Sequence, residues 1–205
     1  MFDFLKPKVL EEVDSKYSGR IRVVSNFSSR YLATGPLTQS GGLVKDVWDP
    51  VLKKFGRKNK SWLILGLAGG TIAKIISGRL SPTGITGIEI DPLMIKLGKK
   101  YLELGKIPGL KIIIADAKDY LTTVIDHYDY ILIDMYLGDR LPEFVYDVKF
   151  LKKLRQLGKL VIFNHLFYDD SKRQKAGELV TGLKDIFPKI FLMRKLTNLL
   201  IICEA

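Results

Sequence analysis

The chain has 205 residues, 47% apolar and 27% charged, which suits a single globular core and excludes a disordered or fibrous chain. No apolar run approaches the roughly 20 residues of a membrane-spanning helix, the start lacks a secretory signal pattern, and the lone Cys203 excludes an internal disulfide or a cysteine-based metal cluster. A cytoplasmic protein without a membrane partner is expected, and the formal net charge of +11 favours anionic partners, nucleic acid among them.

Residues 1–18 read as a short charged lead-in. Residues 20–24 and 30–34 are β-rich and flank the polar stretch 25–29, which predicts an antiparallel hairpin. Gly35 and Pro36 turn the chain, and Val44, Val47, Val51, Leu52 and Phe55 then recur at helical spacing. A basic cluster over residues 52–60 follows, with a weaker one over 149–159. From residue 61 short apolar runs alternate with amphipathic stretches, the signal of βαβ units. The runs cover 62–65, 85–90, 111–115, 130–133 and 159–163, with helices expected near 71–79, 92–103, 117–125, 142–156 and 171–186. Two final runs, 190–193 and 198–203, are joined by a link too short for a crossover, so one terminal strand must be antiparallel. The expectation is an α/β, doubly wound, mostly parallel sheet over 61–205, preceded by a hairpin-and-helix extension over 1–60.

Open α/β sheets bind ligands beyond the carboxyl ends of their strands. After the first parallel strand comes Gly66-Leu-Ala-Gly-Gly-Thr71, where Gly66, Ala68, Gly69 and Gly70 let backbone pass close under a ligand and the next helix offers free N–H groups. After the second come Glu89, Ile90 and Asp91; Glu89 suits a carboxylate that accepts both ribose hydroxyls. After the third come Asp116 and Ala117, where a carboxylate can accept from an adenine amine, and after the fourth comes Asp134. An NAD fingerprint needs glycine at the first, third and sixth loop positions, which here are Gly66, Ala68 and Thr71, so NAD is disfavoured. His165, expected just after the fifth strand, reads as a general base or a hydrogen-bonded structural histidine. Tyr136 reads as an acceptor contact or a loop aromatic. No residue spacing suggests a metal site.

With these residues in place, residues 20–203 resemble the spermidine synthase-like branch of the class I S-adenosylmethionine-dependent methyltransferase superfamily. The likeness is carried by the hairpin, Thr38-Gln-Ser-Gly41, Leu65-Gly-Leu-Ala-Gly-Gly70, Gly87-Ile-Glu-Ile-Asp-Pro92, Ile114-Ala-Asp-Ala117 and Tyr128-Asp-Tyr-Ile-Leu-Ile-Asp134. It implies a seven-stranded sheet with its last strand reversed, and a homodimer. It also implies Gln39 and Glu89 on the nucleoside, Asp116 and Ala117 on adenine, and Asp134 beside the transferred group. Aminopropyltransferases of this branch carry an acidic residue where this chain has Gly69. They have tyrosine, then a polar and an acidic residue, where it has Trp48-Asp49-Pro50, and a second aspartate where it has Leu137, with Asp139 two positions on. The resulting expectation is methyl transfer from S-adenosylmethionine to a small-molecule acceptor, with Trp48, Tyr136, Asp139 and His165 near that acceptor. Aminopropyl transfer from decarboxylated S-adenosylmethionine is the alternative, and a non-catalytic module with an anionic partner the third reading.

Overall fold

The computed structural model describes residues 7–26 and 29–205. The first six residues of the expected lead-in and positions 27–28 of the hairpin connection lie outside them. Strands β1 (Lys8–Ser15), β2 (Gly19–Asn26), β3 (Ser29–Thr34) and β4 (Leu37–Ser40) form one antiparallel sheet in sequence order. Helix α1 (Gly42–Phe55) leads from it into β5 (Ser61–Leu65), α2 (Thr71–Leu80), β6 (Gly84–Glu89), α3 (Pro92–Tyr101), β7 (Leu110–Ile114) and α4 (Ala117–Thr123). The chain continues through β8 (Tyr128–Ile133), α5 (Val148–Leu157), β9 (Gly158–Leu166), α6 (Asp170–Lys184), β10 (Lys189–Lys195) and β11 (Asn198–Glu204).

The larger sheet has the order β10-β11-β9-β8-β5-β6-β7. Strands β5 to β9 pair in parallel, while β11 lies between β9 and β10 and is antiparallel to both. The doubly wound sheet with a reversed last strand is therefore present as expected. Its order reverses between β5 and β8, which opens a crevice beyond their carboxyl ends.

Three local expectations need correction. The supposed lead-in contains an eight-residue strand, β1, so the hairpin is part of a four-stranded sheet. Its charged residues fit an edge strand; Glu11 accepts hydrogen bonds from Lys100 Nζ and the Tyr101 hydroxyl of α3, each at 2.6 Å. The helix expected over 142–156 is divided, because Pro142 precedes a single 3-10 turn (Glu143–Tyr146) and α5 starts only after Asp147. Strand β9 runs on to Leu166, so His165 lies within the strand rather than after it. Antiparallel pairing with β11, from Asn198↔Leu166 to Glu204↔Leu160, supplies the ladder that carries β9 that far.

Apolar side chains cover both faces of the larger sheet. On one, Phe150, Leu154, Leu179 and Leu183 pack over Ile131, Ile133 and Phe163. On the other, Trp48, Val51 and Ile76 pack over Ile64, Leu132 and Ile162, and Trp62 stacks on Tyr130 at 3.9 Å. Strand alternation thus sends Tyr130 and Leu132 toward α1, and the same period carries the next even position, Asp134, to that side.

Candidate active site at the strand ends

The loop after β5 is fixed by backbone contacts. Gly66 has φ 89°, and a Cβ there would stand 2.4 Å from the Asp134 carbonyl oxygen, so only glycine lets these strand ends close on each other. Ala68 also adopts a positive φ, 45°, and its amide donates to Glu89 Oε2 at 2.7 Å. The Asp91 amide donates to Glu89 Oε1 at 2.9 Å. Burial raises the Glu89 pKa, and the two amides oppose that rise by favouring the carboxylate. Each Glu89 oxygen retains acceptor capacity after these bonds, as a carboxylate that binds a vicinal diol requires.

Asp116 caps α4, its Oδ1 accepting from the Lys118 and Asp119 amides at 2.7 and 3.4 Å. This leaves Oδ2 for a ligand donor. Asp134 receives one donor on each oxygen: Asn164 Nδ2 on Oδ1 at 2.7 Å and Trp48 Nε1 on Oδ2 at 3.1 Å. Burial nevertheless pushes its pKa up to about 6, the two donors limiting the rise.

One cavity gathers Gln39, Gly66, Ala68, Glu89, Ile90, Asp116, Ala117, Asp134 and Tyr136. These residues come from the ends of β4, β5, β6, β7 and β8, so the register read from the sequence converges in space. Met94, Met135, Pro142 and Phe144 supply apolar wall, and Tyr17 and Ser18 roof it from the β1–β2 turn. Asp91 ties that turn down: fully buried, it accepts from the Ser15 and Ser18 hydroxyls at 2.6 Å each while capping α3 through the Leu93 amide. The roof was illegible in sequence because a charged edge strand looks like a tail.

Other expected positions lie off the cavity. Gly69 and Gly70 face α3 and its sequel instead; a Cβ on Gly69 would meet Leu102 at 2.6 Å and Leu32 and Ser40 at 2.9 Å. Trp48 is fully buried and touches the site only through Asp134. Asp139 turns outward to Lys172, with Oδ2 at 2.7 Å, and accepts from the Tyr168 hydroxyl at 3.1 Å. His165 is buried, with Nε2 2.9 Å from the Tyr146 hydroxyl and Nδ1 2.6 Å from the Leu166 carbonyl oxygen. Burial lowers its pKa and holds the ring neutral, so Nδ1 donates and Nε2 accepts. Both ring nitrogens are thus engaged by hydrogen bonds within the fold. Tyr136 lines the cavity but donates its hydroxyl to the Asn164 carbonyl at 2.7 Å. Among the described residues no cluster of His, Cys, Asp or Glu could hold a metal ion, and no helix is long and apolar enough to cross a membrane.

The fold is an α/β structure of the class I methyltransferase type. Among solved structures, the chain superposes on spermidine synthase from Thermotoga maritima with a TM-score of 0.75, at 17% identity over 96% of this chain and 72% of the other. Human methyltransferase-like protein 13, solved in complex with SAH, gives a TM-score of 0.61 at 24% identity, over 72% of each chain. In sequence, the chain is 27% identical over 146 residues to the mouse (Mus musculus) "eEF1A lysine and N-terminal methyltransferase", covering 64% of this chain and 20% of that protein. It is 26% identical over 106 residues to a polyamine aminopropyltransferase of Vibrio vulnificus, covering 50% and 36%. The chain thus spans about a fifth to a third of the length of these curated relatives. No family model matches it. Relatives and fold neighbours alike are methyltransferases and aminopropyltransferases, in agreement with the spermidine synthase-like branch that the sequence resembles.

Proposed function

We propose that the chain binds S-adenosylmethionine in the strand-end cavity and transfers its methyl group to an acceptor amine or hydroxyl held by Asp134. The convergence of Glu89, Asp116 and Asp134 from three successive strand ends onto one cavity carries this reading. In it, Glu89 and Gln39 take the ribose, Asp116 and Ala117 the adenine, and the described part of residues 1–60, which carries Gln39, closes the site over a donor held mainly by 61–205. The donor supplies a sulfonium-bound methyl group open to in-line displacement, which asks of the protein chiefly alignment and exclusion of water. Asp134 aligns the acceptor and takes its proton.

Two observations favour methyl over aminopropyl transfer. The site of the acidic residue expected of aminopropyltransferases is Gly69, where any side chain would have to displace Leu102, Leu32 and Ser40. On the acceptor side Leu137 lines the cavity while Asp139 is engaged by Lys172, so a diamine would meet Asp134 without a second carboxylate to replace its lost hydration. The names of the mouse relative and its counterparts make an amine the favoured acceptor, as a small molecule or a protein amino group. Calorimetric titration with S-adenosylmethionine and with its decarboxylated form is the test. The reading expects at least tenfold tighter binding of S-adenosylmethionine; the opposite preference establishes the aminopropyl alternative, and binding of neither overturns both.

A further inference from the structure

Asp134 stands at the end of an oriented chain of hydrogen bonds that starts three strands away in sequence. The Thr197 hydroxyl donates to Asn198 Oδ1 at 3.1 Å, and Asn198 Nδ2 donates to Asn164 Oδ1 at 2.9 Å. Asn164 Nδ2 then donates to Asp134 Oδ1 at 2.7 Å. Every donor points the same way. An amide reversed at Asn164 would set its oxygen against the Asp134 carboxylate and its NH2 against that of Asn198, and one reversed at Asn198 would set its oxygen against Asn164 Oδ1, so each link fixes the next.

The hydrogen bonds step diagonally across one face of the sheet. Leu132, Ile162 and Ile202 lie opposite one another in an apolar row toward α1; two residues on, Asp134 follows Leu132 and Asn164 follows Ile162, with Leu200 opposite Asn164, and Asn198 stands one step further, opposite Leu166. Both asparagines are buried, at 5% and 8% exposure. Apolar residues would fill these positions at lower desolvation cost. Asp134 and Asn164 follow directly on apolar positions of β8 and β9, where these strands reach the cavity.

We propose that Asn164 and Asn198 are positioning residues. Transmitting orientation from the β10–β11 turn, they lock the Asp134 carboxylate so that its unoccupied lone pairs face the acceptor. Asp134 cannot turn away, because Trp48 holds its second oxygen from α1. Among the described residues no charged side chain bonds to it. Its neighbours are Trp48 from α1, Asn164 from β9 and, on its own loop, Tyr136, which burial keeps protonated; Glu89 and Asp116 line the same cavity.

The role as acceptor base rests on the proposed function, whereas the coupling of Asn198 to Asp134 can be read without any substrate. The experiment is a 13C carboxyl titration of Asp134 by NMR in wild type, Asn198→Leu and Asn164→Leu, with donor affinity measured alongside. Asn198→Leu frees the Asn164 amide to turn and is expected to raise the Asp134 midpoint by about one pH unit, a tenfold change in its protonation equilibrium. Asn164→Leu raises it further, and donor affinity stays within twofold in both. A midpoint unchanged in folded Asn198→Leu overturns the proposal. If that variant fails to fold, Asn198→Asp replaces it: an acceptor-only side chain forces the Asn164 amide to reverse, and an unshifted midpoint there is equally fatal. Absence of donor binding by the wild type would instead overturn the proposed function and leave the titration result standing.

Discussion

Asp134 is placed under two opposed influences, a buried position that favours its protonated form and two N–H donors that serve the ionised one. With a midpoint about 6, the base form accumulates as pH rises, so turnover should climb through that region and level off above it. Asp134→Asn should lower the rate by about 10² or more and abolish that limb of the profile. The same shift works against stability. Because the folded pKa lies above the unfolded value, ionisation costs the fold free energy that appears as pH rises from about 4 through 6, on the order of 2–3 kcal/mol when complete. Urea unfolding of wild type should show this loss between those pH values, and Asp134→Asn should not. Next to it, Gly66→Ala would force a Cβ against the Asp134 carbonyl in a positive-φ conformation. A loss of at least about 2 kcal/mol, read by the same unfolding curves, is expected.

At the level of elements, periodicity located β5 to β9 and their helices because buried parallel strands are continuously apolar. Glu89, Asp116 and Asp134 were legible for the same reason, each following directly on such a run. What escaped was set by tertiary pairing. Strand β1 is charged and half-exposed, and its strand character comes from β2 and from the grip of Lys100 and Tyr101 on Glu11. Asn164 and Asn198 are 34 residues apart, and they meet only because β11 pairs with β9, which sets them as diagonal neighbours within hydrogen-bond reach. Alternation beyond Ile162 would have placed Asn164 on the Leu132 side, but nothing local marks its partner. The base of the sheet has its own polar knot. Asp129 accepts from Lys159 at 2.8 Å and from the Ser61 amide at 3.1 Å, with Lys60 at 3.6 Å, and these hold its pKa down to about 2. Here the folded pKa is depressed, so the contribution is present above pH 4 and lost as pH falls toward 2. Asp129→Asn should cost about 1 kcal/mol at pH 7, given the solvent exposure of both lysines, and the difference from wild type should vanish near pH 2.

Across the whole molecule the charge is separated by the topology. Aspartates stand at the starts of four helices, Asp91, Asp116 and Asp169 capping theirs through the side chain and Asp147 in the same position without a capping bond. Basic residues occupy the last turns at the opposite end: Lys53 and Lys54, Arg79, Lys99 and Lys100, Arg155, and Lys184. Helix dipoles favour both placements. The two basic clusters seen in the sequence meet there, since Lys60 and Lys159 share Asp129. A share of the excess positive charge thus lies away from the cavity, whose carboxylates suit a cationic donor. Any binding of duplex DNA should be steeply salt-dependent, and Lys53→Glu with Lys54→Glu should weaken it in an electrophoretic mobility assay without changing donor affinity. The most direct test of the donor site is equilibrium dialysis with radiolabelled S-adenosylmethionine on wild type and Glu89→Ala. Saturable binding at one site per chain that weakens at least tenfold in the variant is expected; equal affinity in the two proteins would contradict the site assigned here.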